Sequence, residues 1–139
     1  MSTEWLSIYW IAPVMGWLIA QLAKVVIAGA RGEWRGSRPT FLTSGNMPSS
    51  HSGITFALLT VIAVQDGLNS AAFGIAFVVT SIVIYDALNV RRAVGEQGEV
   101  LQSIAKDKAF FTAVGHRPTE VIAGAMVGIG VGLALLQIL

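Results

Sequence analysis

The chain has 139 residues, of which 54% are hydrophobic and 12% charged, and its net charge is +1. A water-soluble domain of this size would lack the polar surface to cover itself, so the composition excludes an ordinary soluble protein and points to a membrane. There is no cysteine, which excludes disulfides and thiolate metal sites, and nothing in the charge balance points to a nucleic-acid partner.

Three charge-free runs, 5–23, 67–85 and 121–139, each approach the roughly 20 apolar residues a helix needs to cross a bilayer. The first has no basic leader and no clear small-residue cleavage site, and it is too long for the apolar core of a signal peptide. It is therefore expected to stay as a spanning helix, with a kink at Pro13 of the kind membrane helices tolerate. Lys24, near its end, reads either as an anchor that snorkels to the interface or as a cation kept at depth for function.

GNMPSSHSG, residues 45–53, comes next and leads into a fourth apolar segment from about Pro48 to Val64. Pro48 suits the first turn of a helix, which would leave the amides of Ser49, Ser50 and His51 without intrahelical acceptors. Such amides, with serine hydroxyls beside them and the positive end of the helix dipole behind, suit an anion such as phosphate. The plainer reading is a serine-capped helix entering the membrane with a histidine at the interface.

The run 67–85 ends in YDALNVRR, residues 85–92. An acid at membrane depth is costly, so Asp86 is expected either to hold an arginine or lysine or to ligate a metal with Glu96, Glu99 or Glu120. Arg91 and Arg92 offer forked donors suited to phosphate oxygens, or serve as a topology signal attracted to anionic lipid heads. In the loop that follows, Val90, Val94, Leu101 and Ile104 recur at helical spacing, which predicts an amphipathic helix at the interface. Gly95 and Gly98 weaken the case for an unbroken one.

GHRPTE, residues 115–120, stands before the last apolar run as the first motif stands before the second segment, and it carries the chain's other histidine. A helix starting near His116 would put Glu120 one turn on and on the same face, where its carboxylate can fix the ring's tautomer and make it a better nucleophile. Within the run, Gly124, Gly128 and Gly132 form a ridge of small residues that lets another helix approach closely, in the same chain or in a second copy.

Four crossings put loops 31–47 and 86–118 on one side, and all nine Lys and Arg residues fall to that side: Lys24, Arg31, Arg35, Arg38, Arg91, Arg92, Lys106, Lys108 and Arg117. The other side has only Glu4 and Asp66. By the positive-inside rule the charged face is cytoplasmic and both termini lie outside, in what is expected to be a bacterial inner membrane. A re-entrant second segment would reverse the orientation of everything after it. The expected fold is all-α: a single domain, residues 1–139, forming a polytopic membrane bundle of about four transmembrane helices, with the amphipathic interfacial helix in the third loop.

These motifs, in this order, resemble the divergent, membrane-embedded branch of the type 2 phosphatidic acid phosphatases, relatives of the vanadium haloperoxidases. The resemblance runs from Gln21-Leu22-Ala23-Lys24 through GNMPSSHS and YDALNVRRAVGEQ to GHRPTEVIAG. It implies that Pro48, Ser49, Ser50 and His51 match a motif whose serine binds phosphate and whose histidine protonates the leaving group. It also implies that His116 is the nucleophile and Glu120, in place of the family's aspartate, its orienting acid. The family's Lys-x6-Arg-Pro is matched in spacing by Arg31 and Arg38-Pro39, with Lys24 a rival for the lysine. Its Ser-Arg pair falls on Ala109 and Phe110, so that arginine is missing and Arg91 or Arg92 would replace it.

The implied activity is hydrolysis of a lipid phosphate or diphosphate. Lys24, Arg38, Arg91, Arg92 and the backbone around Ser49 and Ser50 would hold the head, with Arg31 and Asp86 in support, while His116 attacks phosphorus and His51 protonates the departing oxygen. The scheme needs no metal and no other cofactor. Its partners are the anionic lipid and the surrounding bilayer, with a homo-oligomer through the glycine ridge as a further expectation. Two alternatives stand beside it: a protein that binds or translocates a lipid phosphate without cleaving it, and a structural membrane subunit. Hydrolysis requires both imidazoles to converge on one cation-lined hollow.

Overall fold

The computed structural model describes residues 4–32, 47–105 and 115–139. Among them the chain is helical throughout: α1 (Glu4–Ala30), α2 (Ser50–Gln65), α3 (Ala71–Tyr85), a π turn (Asp86–Val90), α4 (Arg91–Ile104) and α5 (Pro118–Ile138). Among the described residues three stretches are long and apolar enough to cross a membrane: Ile8–Ala30, the continuous α3–π–α4 rod Ala71–Ile104, and Pro118–Ile138. α2 is shorter, at 16 residues. At 1.5 Å per residue it is about 24 Å long, against a hydrocarbon core of about 30 Å.

Short polar signals start the helices. Ser49 and Ser70 sit extended at the N-caps of α2 and α3, and their hydroxyls accept the amides of Ser52 at 3.4 Å and Phe73 at 3.1 Å. Gly67, with φ of 85°, lets the chain reverse within the few residues between α2 and α3. α5 begins at Pro118, two residues later than the sequence suggests, because proline suits the first helical position and Glu120 at the third reaches back to the Arg117 N–H at 3.2 Å. α1 continues through Pro13. Thr55, Thr60 and Ser81 satisfy their hydroxyls inside their own helices, as with Thr60 Oγ1 donating to the Phe56 carbonyl at 2.7 Å.

α2 is the hub and packs against α1, α3 and α5. It runs antiparallel to α1: Lys24 meets Ser50 at one end, and the Tyr9 hydroxyl donates to the Asp66 carboxylate at the other, at 2.9 and 3.0 Å. The second segment therefore covers the height of α1 between Tyr9 and Lys24 and does not turn back halfway. α5 runs parallel to α2, with Gly124 against Ser49, Gly128 against Gly53 and Ala57, and Gly132 against Thr60.

The core is made of small residues. Ile8, Ala12, Ala57 and Val61 form its buried centre, with Tyr9, Leu135 and Leu136 packed around it. A Cβ on Gly16 would come within 2.5 Å of the Gly53 carbonyl oxygen, and one on Gly128 within 2.6 Å of the same atom. Lipid offers helices no hydrophobic reason to associate, so close backbone approach and dispersion hold this bundle together. The glycine ridge of α5 is filled by α2 of the same chain, so the surface the sequence offered to a second copy is already covered.

The rod α3–π–α4 leans on the bundle through α2 and leaves Phe77, Val78, Val79, Ile82 and Tyr85 exposed, as lipid-facing residues are. The amphipathic helix expected in the third loop is α4. It continues from α3 through the π turn with no loop between them, and Gly95 and Gly98 do not interrupt it.

Candidate functional site

Three helix ends and the π turn meet at one end of the bundle. Ser49 fixes the start of α2 twice over: its amide donates to the Glu120 carbonyl at 2.9 Å, and its hydroxyl caps Ser52. That docking needs Gly124, since a Cβ there would collide with the Ser49 carbonyl. Pro48 lies ahead of the N-cap, so the first helical amides are those of Ser50 and His51, and the Ser49 amide is already committed. Ser49 thus organises the site, with its amide and its hydroxyl oxygen both bonded inside the fold.

The histidine of the second motif is set by the chain on both sides of it. The His116 N–H donates to the Ala87 carbonyl at 3.0 Å, and Gly115 lies so close to the Arg92 backbone that no Cβ would fit. His116 is 3% exposed. Its Nδ1 lies 2.8 Å from Glu120 Oε2. An ionised carboxylate only accepts, so Nδ1 carries the proton and the lone pair of the neutral ring is on Nε2. His116 precedes the helix, and the contact forms because the side chain of Glu120 turns back to cap α5. The ring of His51 approaches edge-on, with centroids 6.4 Å apart.

Charges surround the two imidazoles. Lys24 is not a snorkelling anchor: it is 5% exposed, and its Nζ donates to Ser50 Oγ at 2.8 Å, which in turn donates to Gln21 Oε1 at 3.1 Å. Gln21 and Lys24 share a face of α1 three residues apart, a spacing visible in the sequence. The π turn accounts for Asp86. It bonds the Arg91 N–H to the Asp86 carbonyl five residues back, and so brings the two side chains together with Arg91 Nε 2.6 Å from Asp86 Oδ2. Arg91, Lys24 and Asp86 all lie near enough to His51 to act on it electrostatically.

The neighbouring arginine is paired differently. Arg92 pairs with Glu96 at 3.1 Å, both exposed, beside a cavity of about 520 Å³ that His116, Glu99 and Arg117 also border. A smaller cleft of about 150 Å³ lies on the other side of Glu120, between Lys24, Arg31, Arg117 and Thr119. Arg38, expected at the phosphate, lies outside the described residues. The metal alternative for Asp86 finds no ligand set: among the described residues no three His, Asp or Glu side chains are placed to hold an ion. Asp86, Glu96 and Glu120 are instead paired with Arg91, Arg92 and His116.

Sequence reasoning did not single out Gly115, Ala87 or Arg117. Gly115 had a signal, a glycine beside a motif histidine. The Ala87 carbonyl had none. Ser52 Oγ is buried at the start of α2 and has no hydrogen-bond partner among the described residues.

Comparison with known proteins bears on this arrangement. The model of the Divergent PAP2 family matches residues 7–131. The uncharacterized membrane protein YuiD of Bacillus subtilis (strain 168) is 32% identical over 142 residues, covering 85% of this chain and 87% of that protein. No solved structure matches.

Proposed function

The chain belongs to the divergent PAP2 family, and from that membership together with the site geometry we propose that it is a membrane-embedded phosphatase of lipid phosphates or diphosphates. The observation that carries this reading is the His116–Glu120 pair at 2.8 Å with the ring of His51 at 6.4 Å. A buried imidazole with its Nδ1 proton held by a carboxylate and its Nε2 lone pair free is an activated nucleophile.

In this reading Nε2 of His116 forms a bond to phosphorus as the bond to the leaving oxygen breaks, and His51 gives that oxygen its proton. Water then splits the phosphorus–nitrogen bond, releasing phosphate and returning the proton. Lys24, Arg91 and the first amides of α2 neutralise charge on the phosphoryl oxygens, the Ser50 hydroxyl holds Lys24 in place, and Asp86 holds Arg91. Electrostatic stabilisation by groups already in position supplies most of the acceleration. The scheme uses no metal or cofactor. The charged end of the bundle faces the cytoplasm, both termini lie on the far side, and the membrane is a bacterial inner membrane.

One observation favours a binder that does not cleave: the Ser49 amide and the Ser50 hydroxyl proton are spent inside the fold, which leaves fewer donors for a transition state than the motifs promise. His116→Ala separates the two readings. The parent protein in detergent is expected to release phosphate from a long-chain lipid phosphate and to form an acid-labile phosphohistidine, and the variant to do neither while still retaining the lipid. Phosphate release by the variant at the parental rate would remove His116 from the chemistry.

A further inference from the structure

In an α-helix each N–H bonds the carbonyl four residues back, which for Arg91 would be the carbonyl of Ala87. The π turn sends that N–H one residue further, to Asp86. The Ala87 carbonyl thereby loses its α-helical donor, and the His116 N–H donates to it at 3.0 Å. Ala87 and His116 are both buried, so water is a poor substitute for either partner. One residue beyond the α-helical count has thus turned a backbone acceptor of the rod toward the segment that carries the second histidine.

The same residue sets the phase of α4. One residue is about 100° of helical rotation, and with it in place Leu88, Arg92, Gly95 and Glu99 share the face that meets residues 115–118 across the cavity. There the Arg92 backbone lies against Gly115 with no room for a Cβ, and Gly95 is buried. The outward face, with Val90, Val94, Leu101 and Ile104, is exposed. His116 is therefore held at two successive points, by Ala87 through its own amide and by Arg92 through Gly115.

We propose that the π turn is the positioning element for His116. Its additional residue supplies the Ala87 carbonyl and aims the Arg92 backbone at Gly115, and these two contacts fix where the imidazole stands between Glu120 and His51. Ala87 acts through its main chain and touches no substrate. π turns are rare interruptions of α-helices that collect at functional sites, and here the interruption has a definite task. The expected effect on turnover rests on the phosphatase reading, whereas the effect on the His116 backbone stands without it.

Deletion of Leu88 tests this in the purified full chain in detergent. It leaves Arg91 four residues after Asp86, still an ion-pair spacing on a helix, and gives the Ala87 carbonyl an α-helical donor in the Arg92 N–H. The chain has two histidines, so isotopic labelling of histidine alone gives two backbone amide signals, assigned by the one that disappears in His51→Ala. The His116 amide is expected to exchange with solvent about tenfold faster in the deletion variant than in the parent, the effect of losing one buried hydrogen bond. The kcat for phosphate release from a long-chain lipid phosphate is expected to fall about 10²-fold with little change in KM, the scale of a displacement of about 1 Å.

Gly115→Ala reaches the same contacts by a second route, because its Cβ would push the 115–116 backbone off Arg92 while the π turn itself is unaltered. The same two losses are expected, and this variant decides alone if the deletion variant does not fold. A His116 amide as protected as in the parent overturns the positioning role, whatever turnover does. Faster exchange with phosphate release at the parental rate also overturns it, since the imidazole would then not depend on these contacts. If the parent itself releases no phosphate but exchange is faster in the variants, the phosphatase reading falls and the anchoring of His116 by the π turn stands.

Discussion

His51 and His116 divide the proposed chemistry by their surroundings. His116 is buried, tied by its backbone to Ala87 and by its ring to Glu120, which suits a group that must hold one orientation through a covalent step. His51 is half-buried in the first turn of α2, and its ring, with no carboxylate bonded to it among the described residues, is the one left to act as proton donor. His51→Ala is expected to slow phosphate release by about 10² to 10⁴, the usual worth of a general acid, with the lipid still bound. The loss should shrink for a substrate whose leaving oxygen needs no proton, and an equal loss on both substrates would show that His51 is not the donor. Glu120→Gln is expected to slow formation of the phosphohistidine. The pairing of His116 with Glu120 was legible four residues apart in the sequence. The second task of Glu120, capping α5, follows from where the helix begins.

At the scale of the elements, glycine positions decide which helices can touch. Gly128 and Gly130 lie two residues apart in α5 and face opposite demands. A Cβ on Gly128 would press on backbone atoms of Gly53 and Ala57 at 2.6 and 2.9 Å, whereas one on Gly130 meets nothing within 4 Å. Gly128→Ala is therefore expected to destabilise the detergent-solubilised protein by about 1–3 kcal/mol. Gly130→Ala should be neutral or stabilise it by about 0.5–1 kcal/mol, because alanine is the better helix former. Thermal unfolding of the two variants side by side reads this, and equal shifts would mean that α5 does not lie on α2 in this register. The ridge itself was visible as a four-residue repeat. Its partner was not, since small residues show how closely a neighbour approaches without naming it. The π turn was hidden for a related reason: nothing in DALNV marks a five-residue hydrogen-bond step, although that step is what joins Asp86 to Arg91.

For the whole molecule, antiparallel α1 and α2 with α5 parallel to α2 put Lys24, Ser50, Asp86 and His116 at one end and Tyr9 with Asp66 at the other. The chain has no cysteine, so single cysteines report orientation without background. A cysteine at Gln97 in α4 is expected to resist a membrane-impermeant thiol reagent added to intact cells, and one at Gln137, at the end of α5, to be labelled. The reverse pattern would turn the proposed site to the outside. The α3–π–α4 rod has 34 residues, about 51 Å by helical rise, and exceeds the roughly 30 Å apolar layer, so the α4 half extends beyond that layer or bends along its surface.

Composition and the placement of charge were enough to establish a membrane bundle with a charged end, and the motifs were enough to place the chain in its family. Both are properties of the chain read locally, because a bilayer sorts apolar from charged residues whatever their partners. That Arg91 is tied to Asp86 and Arg92 to Glu96, that Ser49 builds the site from inside the fold, and that Lys24 is held inside all depended on how helix ends meet. Those outcomes turn on backbone approaches of a few ångströms between segments distant in sequence, and only the folded arrangement sets them.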